Sequence, residues 1–129
     1  MLASNCVRSE SMLKSLRHAA RGLATLIATQ SNARIHLGVT AAVVLLALSL
    51  GLSSSEWCWL IGAAALVWTA EALNTAIELL GDAASGGNPH PLVGKAKDVA
   101  AAGVLLAAMG AALIGVIILL PQVVYTVRR

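Results

Sequence analysis

The stretch AEALNTAIELLGDAASGGNPHPLVGKAKDVAA, residues 70–101, decides how this chain is read. It begins inside an apolar run, yet it carries four of the six acidic residues: Glu71, Glu78, Asp82 and Asp98. Glu71, Asn74, Glu78 and Asp82 follow one another at steps of three, four and four. On a helix those steps align the four side chains in one stripe. Only about fourteen apolar residues, Trp57 to Ala70, precede Glu71, too few for the roughly 20 that cross a bilayer. The span must therefore continue through Glu71, which places that carboxylate inside the membrane. Asp82, about 16 Å further along at helical rise, falls at the membrane edge. A charged side chain at the bilayer centre costs roughly 2.5–3.5 kcal/mol on insertion scales. The stripe therefore has to face a bundle interior, a cation or water.

The rest of the chain fits a membrane protein. Of its 129 residues, 58% are hydrophobic and only 12% charged, where a soluble domain carries about a quarter charged. Besides the span from Trp57 to about Leu80, two further segments are long enough to cross: IHLGVTAAVVLLALSLGL, residues 35–52, and VAAAGVLLAAMGAALIGVIILL, residues 99–120. Gly103, Ala107, Ala111 and Gly115 lie four apart on the last of these, a spacing that lets helices approach closely in lipid. Pro121 is expected to end that helix. The N-terminal region has no apolar core of the kind found in a cleavable signal peptide.

Net charge is +3, and its placement reads as a topology signal. Arg8, Lys14, Arg17, Arg21 and Arg34 lie before the first span, none in the SSSE turn (residues 53–56), and Lys95 and Lys97 lie after the second. The expected location is the inner (cytoplasmic) membrane of a bacterium, with the N-terminus and the 81–98 segment cytoplasmic. Arg128 and Arg129 fall on the opposite side and are outnumbered. Trp57 and Trp59 are expected at the depth of an aromatic belt. Nucleic-acid binding is not expected, because the few aromatics sit in or beside apolar runs rather than among the basic residues. Cys6 and Cys58 match no metal or redox spacing and read as free thiols.

The expected organisation is an all-α membrane protein with a surface helix and three transmembrane helices. Residues 1–10 read as disordered and 122–129 as a tail. The domain between, 11–121, comprises a surface helix 11–29 and spans 35–52, 57–81 and 97–120. In the surface helix Met12, Leu16, Ala20, Leu23 and Ile27 form an apolar stripe, and Lys14, Arg17 and Arg21 a basic one. Such a helix can lie in the membrane interface with its basic face toward lipid phosphates. It can equally pack against the bundle. ASGGNPHP is loop, with His90 near the mouth of the stripe.

Carboxylates and an amide beside lysines at a membrane edge suit a hard divalent cation, and Mg²⁺ brings phosphates with it. Lys97 offers a point charge for phosphate. Together these suggest phosphoryl transfer at the bilayer surface, although nothing fits the G-x-x-x-x-G-K-[ST] phosphate loop. Asp98 also reads simply as an N-terminal helix charge.

EALNTAIELLGD (residues 71–82) followed by HPLVGKAKDVAAAGVLL (90–106) closely resembles the prokaryotic diacylglycerol kinase and undecaprenol kinase family of small membrane lipid kinases. The hallmark E-x-L-N-[ST]-A-[IL]-E-x-x-x-D followed by A-K-D is matched at every fixed position, and the resemblance covers roughly residues 11–121. It implies a homotrimer whose active site lies at the cytoplasmic interface and is shared between subunits. The reaction implied is transfer of the γ-phosphoryl of ATP, with Mg²⁺, to a lipid alcohol: diacylglycerol to phosphatidic acid, or undecaprenol to undecaprenyl phosphate. Glu78 is implied as metal ligand and candidate general base. Glu71 and Asn74 are implied to position acceptor and metal, and Asp82, Lys97, Asp98 and Lys14 to bind nucleotide or metal. Gln30 stands where the family often carries a second metal-binding Glu and offers a neutral oxygen there. His36 stands where some members carry Glu and reads as a packed or interfacial polar residue. The HPL…AKD pattern and the closing LLP (119–121) are more similar to the undecaprenol kinase branch and its cyanobacterial relatives than to enterobacterial diacylglycerol kinases.

Two other readings stand beside this one. A small ion- or proton-coupled transporter subunit would use Glu71 and Glu78 as carriers. Against it, no acidic, basic or histidine residue lies between Glu56 and Glu71, so a path across the membrane is poorly furnished. A purely structural membrane protein would use the stripe for helix association, and leaves the conjunction of EALNTAIE with KAKD unexplained.

Overall fold

The computed structural model describes the backbone of residues 2–128 and the side chains of residues 12–128. The chain folds as four helices: α1 (Leu2–Thr29), α2 (Ser31–Leu50), α3 (Ser54–Ser85) and α4 (Pro91–Val127). The last three are long and apolar enough to cross a membrane. Cys58 is free and exposed, whereas Cys6 lies outside the described side chains, as does that of Arg8. Met1 and Arg129 lie outside the described residues altogether.

Each break between helices has a local cause. Gln30 alone separates α1 from α2, with extended backbone at φ −101° and ψ 120°. The pattern break expected over TQSNARIH thus shrinks to one residue, and α2 begins at Ser31 instead of 35. Gly51 ends α2 in the left-handed region, at φ 65°, where a side chain would be strained. Ser53 and Glu56 then form a reciprocal capping box, so α3 starts at Ser54 instead of 57. Gly86 and Gly87, at φ 59° and 77°, turn the chain out of α3. Their N–H groups donate to the Ala83 and Asp82 carbonyls at 3.4 and 3.0 Å. His90 caps α4 by accepting the Leu92 N–H at 3.3 Å on Nδ1, and Pro91 occupies the first helical position, where its missing N–H costs nothing. The third span accordingly begins at 91 instead of 97.

The ends of the chain differ from the expected bounds. Helix α1 is drawn from Leu2, so it takes in the backbone of the segment expected as disordered, and no Gly or Pro occurs before Gly22 to break it. Pro121 does not end α4, which continues to Val127. A proline removes one N–H from the helix ladder, and membrane helices tolerate that loss when neighbouring groups hold the backbone. Here Gln122 Nε2 donates to Glu56 Oε1 at 3.1 Å and ties the segment beyond Pro121 to the start of α3.

Long-range contacts fix the register. Gln30 Nε2 meets Glu78 Oε2 at 3.2 Å, and Trp68 Nε1 meets Thr40 Oγ1 at 3.2 Å. Ten residues separate these contacts on each helix, so α2 and α3 run antiparallel without a slip. At the far end Ala47, Leu60 and Leu119 form a buried cluster of α2, α3 and α4. Trp57 packs against this cluster, while Trp59 is 64% exposed, so only Trp59 is free for the expected belt. Lys97–Asp82 at one end and Gln122–Glu56 at the other pin α4 antiparallel to α3. The α4 face expected to be small packs in part: Ala107 is buried, Ala111 and Gly115 are half-buried, and Gly103 is exposed. In α1 the stripe residues Met12, Leu16 and Leu23 are exposed, and Leu26 is instead the buried anchor. Ile27, the last residue of the stripe, is half-buried, so the exposed part of the stripe lies toward the N-terminal end of the described helix.

The register sets depth. The first residue of α2, Ser31, lies level with Ile77 of α3, so Glu78 and Asp82 project past the start of α2. Glu71 lies about 9 Å inside that level at helical rise. Gly81 allows α4 to close against this projecting end. A Cβ there would stand 2.8 Å from Val93 Cγ1 and 3.4 Å from Lys97 Cε. Val93 is β-branched and cannot swing aside freely. Gly81→Ala should therefore lower thermal stability in detergent by ~1–3 kcal/mol through overpacking, and Val93→Ala in the same chain should recover most of the loss. An unaffected single variant would show that the helices separate at no cost.

Candidate functional site

Helix α3 positions most of the site because its polar residues recur at helical spacing. Glu71 is fully buried, and Asn74 and Thr75 are 6% and 5% exposed. Glu78 is half-buried, and Asp82 is exposed. The stripe thus grades from a sealed interior to solvent within three turns. Its outer half is hydrogen-bonded. Asn74 Nδ2 donates to Glu78 Oε1 at 3.2 Å, and Gln30 Nε2 donates to Glu78 Oε2 at 3.2 Å. Two amides therefore hold the Glu78 carboxylate from either side, one from its own helix and one from the α1–α2 junction. Next along, Lys97 Nζ meets Asp82 Oδ1 at 2.5 Å.

The inner half is not satisfied. Both Glu71 carboxylate oxygens, Asn74 Oδ1 and Thr75 Oγ1 are buried without a hydrogen-bond partner. Buried polar groups are ordinarily paired, and leaving one unpaired costs about 1–3 kcal/mol. Four such oxygens side by side mark a place where a ligand, water or another chain completes the bonding. All four are oxygens, the donor type that a hard divalent cation takes. Among the described residues no group of three His, Cys, Asp or Glu forms a closed metal cage. An Mg²⁺ site does not need one, since it draws on one or two carboxylates together with substrate phosphates.

The Lys97–Asp82 pair is 32% and 62% exposed on its two side chains. Exposed pairs contribute only ~0–1 kcal/mol. Its consequence is positional: a lysine is held beside the stripe by a contact that can be exchanged for an anionic ligand.

The structure thus brings Glu71, Asn74, Glu78, Gln30, Asp82 and Lys97 along one edge of the bundle. It does not bring in the other two candidates. Asp98 is exposed and takes no part in these contacts. Lys14 is exposed on α1 and likewise joins none of them. Thr75 was missed as a site residue, although it lies one turn from Glu71 and its spacing shows as much. The Trp68–Thr40 bond has no signal in either segment alone.

An apolar groove of about 530 Å³ adjoins the stripe. Leu23, Leu26 and Ile27 of α1 line one wall, Leu37 of α2 and Trp68 and Ala72 of α3 the other. On α3 it reaches Ala72, the residue after Glu71, and the Thr40 hydroxyl holds the Trp68 ring in its wall.

Known proteins match this sequence over most of its length. The family model for prokaryotic diacylglycerol kinase matches residues 17–119. A diacylglycerol kinase from Synechocystis sp. is 41% identical over 110 residues, which is 85% of this chain and 63% of that protein. The chain thus spans less than two thirds of that relative's length. The undecaprenol kinase of Bacillus subtilis is 35% identical over 109 residues, 84% of this chain and 88% of that protein. The matched region contains α2, α3 and most of α4, with every polar contact of the site among residues 30–97, and on that basis the chain belongs to the prokaryotic diacylglycerol kinase family.

Proposed function

We propose that the protein is an ATP-dependent lipid kinase, transferring the γ-phosphoryl group of ATP to the hydroxyl of a membrane lipid alcohol. The observation that carries this reading is a single juxtaposition. On α3, Glu78, a carboxylate held by two amides, follows by six residues the Ala72 that lines an apolar groove and precedes by four the Asp82 that holds a lysine. An acceptor with an apolar chain fits the groove and brings its hydroxyl to the stripe. A nucleotide from the water side meets Lys97 first. The two relatives, named for a diacylglycerol and an undecaprenol acceptor, support the lipid-kinase class and leave the choice between those acceptors to experiment.

In the proposed step the acceptor oxygen attacks the γ-phosphorus, a new O–P bond forms, and the bond to the β-phosphate bridging oxygen breaks. ADP leaves with that electron pair, and the hydroxyl proton passes to Glu78. Asn74 and Gln30 hold the Glu78 carboxylate in place. Glu71 and the Asn74 carbonyl oxygen orient the acceptor from the buried side. Lys97, released from Asp82, and Asp82 itself face the nucleotide. Glu78 would also hold Mg²⁺, with the Gln30 carbonyl oxygen available once that amide turns. When bound, the ion supplies neutralising charge for the transferring phosphate. We assign no contact to Lys14 or Asp98 within a single chain, and a neighbouring subunit of a homotrimer is where they would contribute. The basic residues before α2 and after α3 support a bacterial inner-membrane location with the site facing the cytoplasm.

Purified protein in lipid nanodiscs, given radiolabelled ATP and Mg²⁺, should phosphorylate diacylglycerol or undecaprenol above a no-lipid control. Label transfer to neither would remove the assignment. Glu78→Gln should lower kcat at least ~100-fold, the scale of a lost general base, while the protein remains folded; near wild-type turnover would exclude Glu78 from the step. Lys97→Ala should raise the ATP KM about tenfold, equivalent to ~1.4 kcal/mol, with the lipid KM unchanged. An unaltered ATP KM would take Lys97 out of the nucleotide site.

A further inference from the structure

His36 is a half-buried titratable group that the mechanism above leaves unused. Its position follows from the register of α2 on α3. Gln30 faces Glu78 and Thr40 faces Trp68, with equal spacing between the contacts on both helices. Counting four residues back from Thr40 and four forward from Trp68 sets His36 level with Ala72, beside Glu71. Ala33, fully buried, lies level with Thr75 in the same count, where the helices approach closely. His36 is near enough to Glu71 to act on it electrostatically, as is Glu78.

Among the described residues, Glu71 takes no hydrogen bond, and none of its neighbours donates to it. From α4, the Lys97–Asp82 and Gln122–Glu56 contacts place Ala107 at the level of Glu71, among apolar residues. From α1, the groove presents only apolar and small side chains. On α3 the Asn74 amide is committed to Glu78, and the Thr75 hydroxyl makes no bond. Arg34, near His36 on α2, is exposed and donates to the Ala28 carbonyl at 3.2 Å. A buried carboxylate without donors is costly. The imidazole N–H is the donor from a neighbouring helix at the right depth.

We propose that His36 is a positioning residue for Glu71, its ring N–H reaching the carboxylate directly or through one water and fixing the direction in which Glu71 meets the acceptor hydroxyl. This rests on the lipid-kinase reading for its catalytic consequence but not for the contact itself. Two experiments separate them. First, ¹⁵N-histidine NMR of the protein in nanodiscs resolves the chain's three histidines, with the His36 signals assigned by their loss in His36→Gln. Glu71→Gln should shift the His36 ring resonances and leave those of His18 and His90 in place. Unmoved His36 resonances would overturn the proposal, whatever the protein's activity. Second, His36→Ala should lower kcat about tenfold, the scale for losing an orienting partner, with the ATP KM near its wild-type value. His36→Gln, which keeps an N–H donor, should recover most of that loss. Wild-type kcat in His36→Ala, or equal damage in both variants, would contradict a positioning role.

Discussion

Glu71 is the constraint on which the rest of the structure turns. A carboxylate sits fully buried within a membrane-spanning helix, its oxygens without a hydrogen-bond partner among the described residues. Inserting such a group costs kilocalories, and no packing advantage over an apolar side chain offsets them. The surroundings therefore have to keep lipid away from it while leaving its oxygens open to a partner of the right chemistry. Antiparallel packing of α2 and α4 against α3 does the first. The small residues Ala33 and Ala107 let those helices come close enough to seal Glu71.

From that buried point the site opens outward along α3. Each turn trades burial for charge: an unpaired carboxylate, then an amide-held carboxylate, then an exposed aspartate with its lysine. The deep end can orient a neutral hydroxyl, because its carboxylate, amide and hydroxyl oxygens keep open acceptor capacity. The shallow end can receive a polyanion, because the lysine there is held by a contact worth little in water. The Gly81 approach and the Gly86–Gly87 turn hold the α3–α4 end together, so Lys97 reaches back beside Asp82. At the opposite end, the bond between Glu56 and Gln122 fixes the same two helices and carries α4 through Pro121.

Much of this was legible in the sequence, for identifiable reasons. Three spans follow from hydropathy, because lipid demands long uninterrupted apolar helices. The stripe follows from helical period, and Thr75 belongs to it by the same count. The family resemblance rests on motif residues that the site does bring together, from Glu71 to Lys97. The misses are tertiary. Pro121 reads as a terminator until Gln122 is seen bonded to Glu56. Gln30 reads as a weakened ligand until it is seen as both the break between α1 and α2 and a donor to Glu78. The groove draws its walls from α1, α2 and α3, between Ala19 and Ala72, so no short window contains it. Helix boundaries also shifted outward wherever a cap, such as Ser53 or His90, extended the helix beyond its apolar run.

The most direct measurement of the central claim is an experimental structure in lipid nanodiscs with Mg²⁺ and a non-hydrolysable ATP analogue. The account predicts the triphosphate at the projecting end of α3, with Lys97 on a phosphate oxygen, the metal at Glu78, and Glu71 facing the end of an apolar groove. Glu71 and Glu78 turned toward acyl chains, or a nucleotide bound away from α3, would contradict it.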